Sequence, residues 1–179
     1  MFTNGVMHII DSVLTIPLNP GFTAIDSNLT ALAGALTQTN LVNTVDNLKD
    51  VTIFAPSNEA FRDIGSATGS LTTQQLSSIL TYHVIQGTVA YSPLIVQGLA
   101  NTSVPTVNGG DVKLLVEDNK VFVNSAQVII TDIIVANGVM HVLDKYASST
   151  SRNQKLTRTA SSTRPTAPQP PTPPPQPKQ

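Results

Sequence analysis

Residues 131–144 read TDIIVANGVMHVLD, and the five residues at their centre, NGVMH (137–141), occur again at 4–8. Five identities in a row, 133 positions apart, are not expected by chance in 179 residues. The match also runs on: TNGVMHIIDSVL (3–14) aligns with ANGVMHVLDKYA (136–147), with Ile/Val, Ile/Leu and a shared Asp beyond the identical core. GVMHII alternates weakly and is rich in bulky apolar types, as a strand does. Residues 5–10 and 138–143 are therefore read as two copies of one strand, the second of which closes a domain.

Working back from 138–143, short Val/Ile-rich segments around 99–107, 112–117, 120–124 and 126–131 are separated by Gly, Asn or Asp. NGGD (108–111) and EDNK (117–120) have the composition of hairpin turns. Before Tyr91 the texture is helical. Leu29, Leu32, Ala33 and Leu36 recur at helical spacing behind Ser27 or Asn28 as cap, and Leu41, Val45 and Leu48 form a shorter pattern. VTIFAP (51–56) reads as a buried strand stopped by Pro. Ser57 is placed to cap SNEAFRDI, with Glu59 in the first turn, where the helix dipole favours negative charge. Thr72 and Gln75 have capping-box spacing ahead of Leu76, Ile79 and Leu80. TIPLNPGF (15–22), with two Pro and a Gly, reads as a linker. Helices first and antiparallel strands after, with one early strand, predict an α+β domain whose helices pack at one side of the sheets.

Composition narrows the function classes. Charged residues are 12% of the chain and there is no Cys, which excludes disulfides, thiolate metal sites and Cys nucleophiles. All eleven acidic residues lie between Asp11 and Asp144, against five basic ones up to Ala147; the other five basic residues follow Thr150. The body is thus acidic (−6), which argues against a nucleic-acid-binding core. The tail is basic, Ser/Thr-rich, and holds eight of the 13 Pro between 165 and 179. Such a composition cannot bury enough surface to fold, and it resembles that of an O-glycosylated stalk. No run approaches the ~20 apolar residues of a membrane helix. MFTNGVMHIID lacks the basic and uninterrupted apolar regions of a secretory signal.

Three blocks, VTIFAPSNEAF (51–61), LTYHVIQG (80–87) and TDIIVANGVMHVLD (131–144), resemble in order and spacing the signature blocks of fasciclin-like domains. The resemblance covers about residues 22–147. It implies a β-wedge of about seven mostly antiparallel strands flanked by short helices, and it implies that Phe54, Pro56, Asn58, Phe61, His83, Asn137, Gly138 and His141 are structural signature positions. Such domains usually occur in tandem on secreted or cell-surface adhesion proteins. On that basis residues 1–20 are expected to be the last strand of a truncated preceding repeat plus linker, 21–147 one fasciclin-like domain, and 148–179 a disordered basic tail. The early strand, without a sheet of its own, is expected to be poorly ordered or to lie on the domain surface.

The resemblance also nominates binding residues. Tyr82-His83 matches a pair implicated in integrin adhesion, with Leu80, Val84 and Ile85 as its aliphatic flank. The physical reading preferred for His83 is structural: neutral imidazole donates one hydrogen bond and accepts another, which suits it to stitching a helix end to a sheet. Asp132-Ile133 matches a second receptor-contact pair. An exposed carboxylate can complete a metal shell on a receptor while the adjacent aliphatic fills a pocket, although a lone Asp between strands is more often turn chemistry. Asn28 and Asn101 open N-glycosylation sequons.

No HExxH, Gly-x-Ser-x-Gly, phosphate loop or dinucleotide turn is present, so neither catalysis nor a cofactor or metal is expected. The function expected is a non-catalytic extracellular or cell-surface adhesion and matrix module. Its partners would be cell-wall or matrix polysaccharide, surface receptors or itself. The alternatives are a small apolar ligand-binding module, against which the aromatics Phe22, Phe54, Phe61, Phe122, Tyr82, Tyr91 and Tyr146 look mostly committed to the core, or a vacuolar member of the same family.

Overall fold

A computed structural model describes residues 5, 7–11, 13–63 and 71–147. The expected disordered tail, 148–179, lies outside them. Helices α1 (Pro20–Asp26), α2 (Thr30–Gln38) and α3 (Val42–Asn47) lead into β1 (Val51–Pro56). Then follow α4 (Asn58–Asp63), α5 (Thr73–Tyr82), β2 (Val84–Gln86), α6 (Ser92–Gln97) and β3 (Ser103–Pro105). Strands β4 (Asp111–Glu117), β5 (Lys120–Val123), β6 (Ala126–Val135) and β7 (Gly138–Leu143) complete the fold. The sheet order is β2-β1-β7-β6-β5-β4-β3, antiparallel throughout except that β1 and β7 run parallel.

The segments 51–56 and 138–143 pair as the second and third strands of the sheet, and both of their faces are covered, as buried parallel strands require. Val51, Ile53 and Ala55 of β1, with Met140 and Val142 of β7, join Leu32, Leu36, Leu76 and Leu80 in one core beneath the helices. Phe54 and Leu143 point the other way, into a second core with Ile95, Val112, Leu114 and Val123. That second core corrects the expectation of helices on one side only: α6 supplies Ile95 to the opposite face.

Local signals held where they depend on neighbours in sequence. Thr72 and Gln75 form a reciprocal capping box at α5. The Ser57 Oγ accepts from Ala60 N–H at 3.2 Å. Asp118 and Asn119 both take positive φ (49° and 60°) between β4 and β5, the tight primed turn that suits a twisted hairpin.

Other expectations are corrected. The 15–22 stretch is not all linker, since Pro20 opens α1 at a position where its missing N–H costs no helical bond. Neither Ser27 nor Asn28 caps α2; Asn28 sits at φ 59°, and Asn58 Oδ1 accepts from Ala31 N–H at 3.0 Å instead. Only Ser103–Pro105 of the 99–107 segment is strand, and the 126–131 segment extends to Val135 through a bulge. In the N-terminal copy, Gly5 makes an isolated bridge while residues 7–10 have no regular structure, and Met7, Ile9 and Ile10 stand exposed. Phe22 and Tyr91 are also exposed rather than committed to the core.

Candidate functional site

Two of the side chains nominated from sequence, His141 and Asp132, meet the chain at residues 90–92, where Thr52 of β1 also bonds. Thr52 on β1 is fully buried; its Oγ1 donates to Thr88 O (2.7 Å) and accepts from Ala90 N–H (2.8 Å). His141 on β7 pairs in register with Phe54 of β1, and the two rings stack with centroids 5.7 Å apart. Its Nε2 is 2.8 Å from Ala90 O and its Nδ1 is 3.3 Å from Asp132 N. Because a backbone N–H can only donate, Nδ1 accepts and Nε2 carries the proton given to Ala90 O. Ala90 is thus held through both its N–H and its carbonyl. Burial lowers the His141 pKa, opposed by the Ala90 carbonyl and the charge of Asp132.

Asp132 stands at φ 61° where the β6 register shifts between Ile130 and Ile133. Its carboxylate faces the start of α6: Oδ1 accepts from Ser92 N–H at 2.7 Å and Oδ2 accepts from Ser92 Oγ. Tyr91, at the N-cap, provides no side-chain cap, so a strand bulge caps this helix from 40 residues away. Burial pushes the Asp132 carboxyl upward, but the Ser92 bonds and the neighbouring His141 bring the net shift below the ordinary value. Ile133 is half-buried against the helical core. The exposed apolar side chains of this strand are Ile129, Ile130 and Ile134. Asp132→Ala should therefore cost about 1–2 kcal/mol through the lost cap, plus a smaller term for Ala in the left-handed region. Asp132→Asn should recover part of this; urea denaturation of the three proteins checks both.

Tyr82 and His83 end α5. The Tyr82 hydroxyl donates to Asp111 O (2.7 Å) and accepts from Asn124 Nδ2 (3.0 Å). His83, only 3% exposed, accepts from Ala147 N–H at Nε2 (3.0 Å), which leaves Nδ1 to donate to Ile79 O at 2.8 Å. Its pKa falls to about 4, driven by burial and opposed by the Ile79 carbonyl. Phe61, His83 and Tyr146 meet edge-to-face, at 5.1 Å for Phe61–Tyr146 and 5.3 Å for His83–Tyr146.

The remaining signature positions are joints. Asn58 Nδ2 donates to Asn28 O (2.7 Å) while its Oδ1 caps α2, so it ties two helices and a turn. Asn137 Nδ2 lies 2.9 Å from both Val45 O and Leu48 O, closing the end of α3. Pro56 ends β1 opposite Leu143. Gly138 lies so close to β1 that a Cβ there would stand 1.9 Å from Val51 O. The sequon residues Asn28 and Asn101 are exposed, each at φ 59° in a turn.

Ser92, Asp132 and His141 are brought together, but not in the order that activates a nucleophile. The Ser hydroxyl donates to the carboxylate rather than to the imidazole, and both imidazole nitrogens are engaged by backbone. Among the described residues there is no group of three or more His, Asp or Glu side chains that could hold a metal. Likewise no helix among them is long and apolar enough to cross a membrane. Sequence reasoning missed Thr52, Ser92 and Asn124, which look like ordinary strand, turn and loop residues and gain their roles only through distant partners.

A family model described as the Fasciclin domain matches residues 27–148. A fasciclin-like arabinogalactan protein of Arthroderma benhamiae is 39% identical over 140 residues, 78% of this chain and 32% of the relative. A second fasciclin-like arabinogalactan protein, from Cercospora beticola, is 31% identical across 80% of this chain and 38% of its own length. The immunogenic protein MPB70 of Mycobacterium bovis is 35% identical over 70% of this chain and 62% of the relative. The chain therefore spans less than two thirds of each of these relatives. Among solved structures, a FAS1 domain pair from the insect cell adhesion molecule Fasciclin I superposes with a TM-score of 0.59 at 26% identity, covering 75% of this chain and 50% of the pair. The seven-stranded, mostly antiparallel sheet with its short helices is the fold those comparisons share, and the chain belongs to the Fasciclin domain family.

Proposed function

We propose that this chain is a non-catalytic adhesion and matrix module of the extracellular space or cell surface. It would act by weak, repeated contacts with cell-wall or matrix polysaccharide, with surface receptors or with itself. The observation that carries the reading is where the reactive side chains point: Ser92, Asp132, His83 and His141 hold backbone or one another. A module with no single strong site gains from repetition, because linked copies convert weak contacts into avidity. The names of the relatives, fasciclin-like arabinogalactan proteins and a cell adhesion molecule, support the same direction. A preceding repeat that contributes residues 1–20, a glycosylated Ser/Thr/Pro tail and glycans on Asn28 and Asn101 belong to this proposal.

The small-ligand alternative is weaker. The cavity in the helical core, lined by Leu32, Leu36, Ile53, Leu80 and Met140, is about 20 Å³. The groove beside Phe22, Ile25 and Val42 is about 100 Å³. Ligand pockets usually run to ~300–1,000 Å³ and are concave and mostly apolar; a space of about 730 Å³ beside Thr30, Asn58, Phe61 and the exposed Glu59–Arg62 ion pair is an open surface hollow.

The test is retention of the folded protein on insoluble wall and matrix polysaccharide, as single chains and as chains displayed together on beads. Display should raise retention by roughly 10²-fold or more. Retention equal to that of the denatured chain in both formats would defeat the polysaccharide reading.

A further inference from the structure

We propose that the hollow between α2 and α4 is the seat of the first sugar of a glycan carried on Asn28. The inference rests on the reading of Asn28 as a glycosylated residue and says what its sugar does. The hollow, about 730 Å³, is lined by Thr30 and Ala31 from the first turn of α2 and by Asn58, Glu59, Phe61 and Arg62 from α4. Asn28 stands at its rim. Its carbonyl accepts from Asn58 Nδ2 at 2.7 Å, and Asn58 Oδ1 accepts from Ala31 N–H at 3.0 Å, so one lining side chain fixes the backbone at both ends of the sequon. Leu29 is 6% exposed and anchored in the helical core, while Asn28 and Thr30 on either side of it are exposed. Thr30, whose hydroxyl the sequon requires, is itself a lining residue.

The lining offers both kinds of surface that a hexosamine needs. One face of a pyranose ring is made of C–H bonds, which the negative face of an aromatic ring attracts. Phe61 supplies that ring, held edge-to-face by Tyr146 at 5.1 Å. The hydroxyl and acetamide groups at the edge of the sugar need donors and acceptors, which Thr30, Glu59 and Arg62 provide. Glu59 and Arg62 bond to one another at 3.0 Å with side chains 78% and 73% exposed, so that pair yields to a sugar at little cost.

An open hollow holds a free sugar poorly, because much of the ligand stays in water. A sugar bonded to Asn28 Nδ2 is in a different position. Attachment keeps it at an effective concentration on the order of mM, so a contact too weak for a free ligand is still made. Asn101 supplies the comparison: it is exposed at φ 59° like Asn28, but no residue of its sequon lines the hollow.

The full chain, secreted from a eukaryotic host behind a leader peptide, tests this after enzymatic trimming to one N-acetylglucosamine per site. Mass spectrometry first reads which Asn carries it. Asn101→Gly leaves a sugar only at Asn28, and Asn28→Gly only at Asn101; Gly suits the left-handed backbone of both positions. The sugar at Asn28 should raise the melting temperature by roughly 2–6 °C over the same chain made without sugar in a bacterial host. The sugar at Asn101 should give less than half of that rise. Phe61→Leu should remove at least half of the Asn28 increment. In the parent fold, nuclear Overhauser contacts should join the ring hydrogens of the sugar to the Phe61 ring. A bare Asn28 overturns the glycosylation reading and this proposal together. A sugar at Asn28 that makes no contact with Phe61, or whose increment survives Phe61→Leu, overturns the proposal alone. Contacts from free N-acetylglucosamine oligomers added to the bare chain, with none from the attached sugar, would assign the hollow to outside polysaccharide and also overturn it.

Discussion

Gly138→Ala, the addition of one methyl group, should destabilise the fold severely. A Cβ at this position stands 1.9 Å from Val51 O, 2.8 Å from Val51 C and 2.9 Å from Val51 N, all backbone atoms of the paired strand. No side-chain rotation relieves such a contact; β1 and β7 must separate. Separation breaks the pairing of Val51 with Gly138 and the Val51 N–H to Asn137 O bond of 3.1 Å where the two strands begin. It also opens both cores, since these two strands are buried on both faces. The expected loss exceeds ~4 kcal/mol, the range reached only by severe overpacking or broken buried networks, against a total stability of ~5–15 kcal/mol. Gly34→Ala is the control. It lies within α2, a Cβ there meets nothing within 4 Å, and the change should stabilise by about 0.5–1 kcal/mol. Urea denaturation followed by circular dichroism measures both. A native-like midpoint for Gly138→Ala would mean that β1 and β7 tolerate a wider spacing than their packing indicates.

What the sequence made legible and what it concealed divide along one physical line. The strands 51–56 and 138–143 were readable because burial on both faces makes each segment mostly apolar, a property of the segment itself. The capping box at Thr72 and the primed turn at Asp118-Asn119 were readable for the same reason: their partners lie within a few residues. α1 was not, because Pro and Gly at its start look like a linker until the chain around them is placed. The cap of α2 was assigned to its own Ser27 or Asn28, when Asn58, on another helix, performs it. Asp132 shows the limit most clearly. The resemblance marked it as a receptor contact and local chemistry marked it as a turn residue, yet its carboxylate caps a helix 40 positions earlier in the chain. Non-local hydrogen bonds leave no periodicity in sequence. The residues that depend on them, Thr52 and Ser92 included, could be located only in the folded structure.

Those same buried bonds set the second large effect, a loss of stability in mild acid. His83 is neutral in the fold at pH 7, and burial brings its pKa there to about 4, against 6.5 for a solvated imidazole. Between those values the unfolded chain holds a proton that the folded chain does not. Stability therefore falls as pH drops from 6.5 towards 4, by up to about 3 kcal/mol for this group alone. Below pH 4 the folded imidazole protonates as well and its contribution stops changing. His141 is shifted in the same direction, for the same reason, and adds to the decline. Asp132, whose folded pKa is depressed, adds a further loss below the ordinary carboxyl value of 3.8. Protonation of either imidazole also has a structural cost. The acceptor nitrogens that receive Ala147 N–H and Asp132 N–H become donors, so each bond turns into two hydrogens facing one another. Urea denaturation at pH 7, 5.5 and 4.5 should show a steady decrease with unchanged cooperativity. His83→Gln separates this cause from general carboxylate titration, because the Gln amide keeps an N–H donor group and a carbonyl acceptor at every pH. That variant should be less stable than the parent at pH 7 through imperfect geometry, yet lose less between pH 6.5 and 4. If the two proteins decline in parallel, His83 titrates normally and its burial does not govern the acid response.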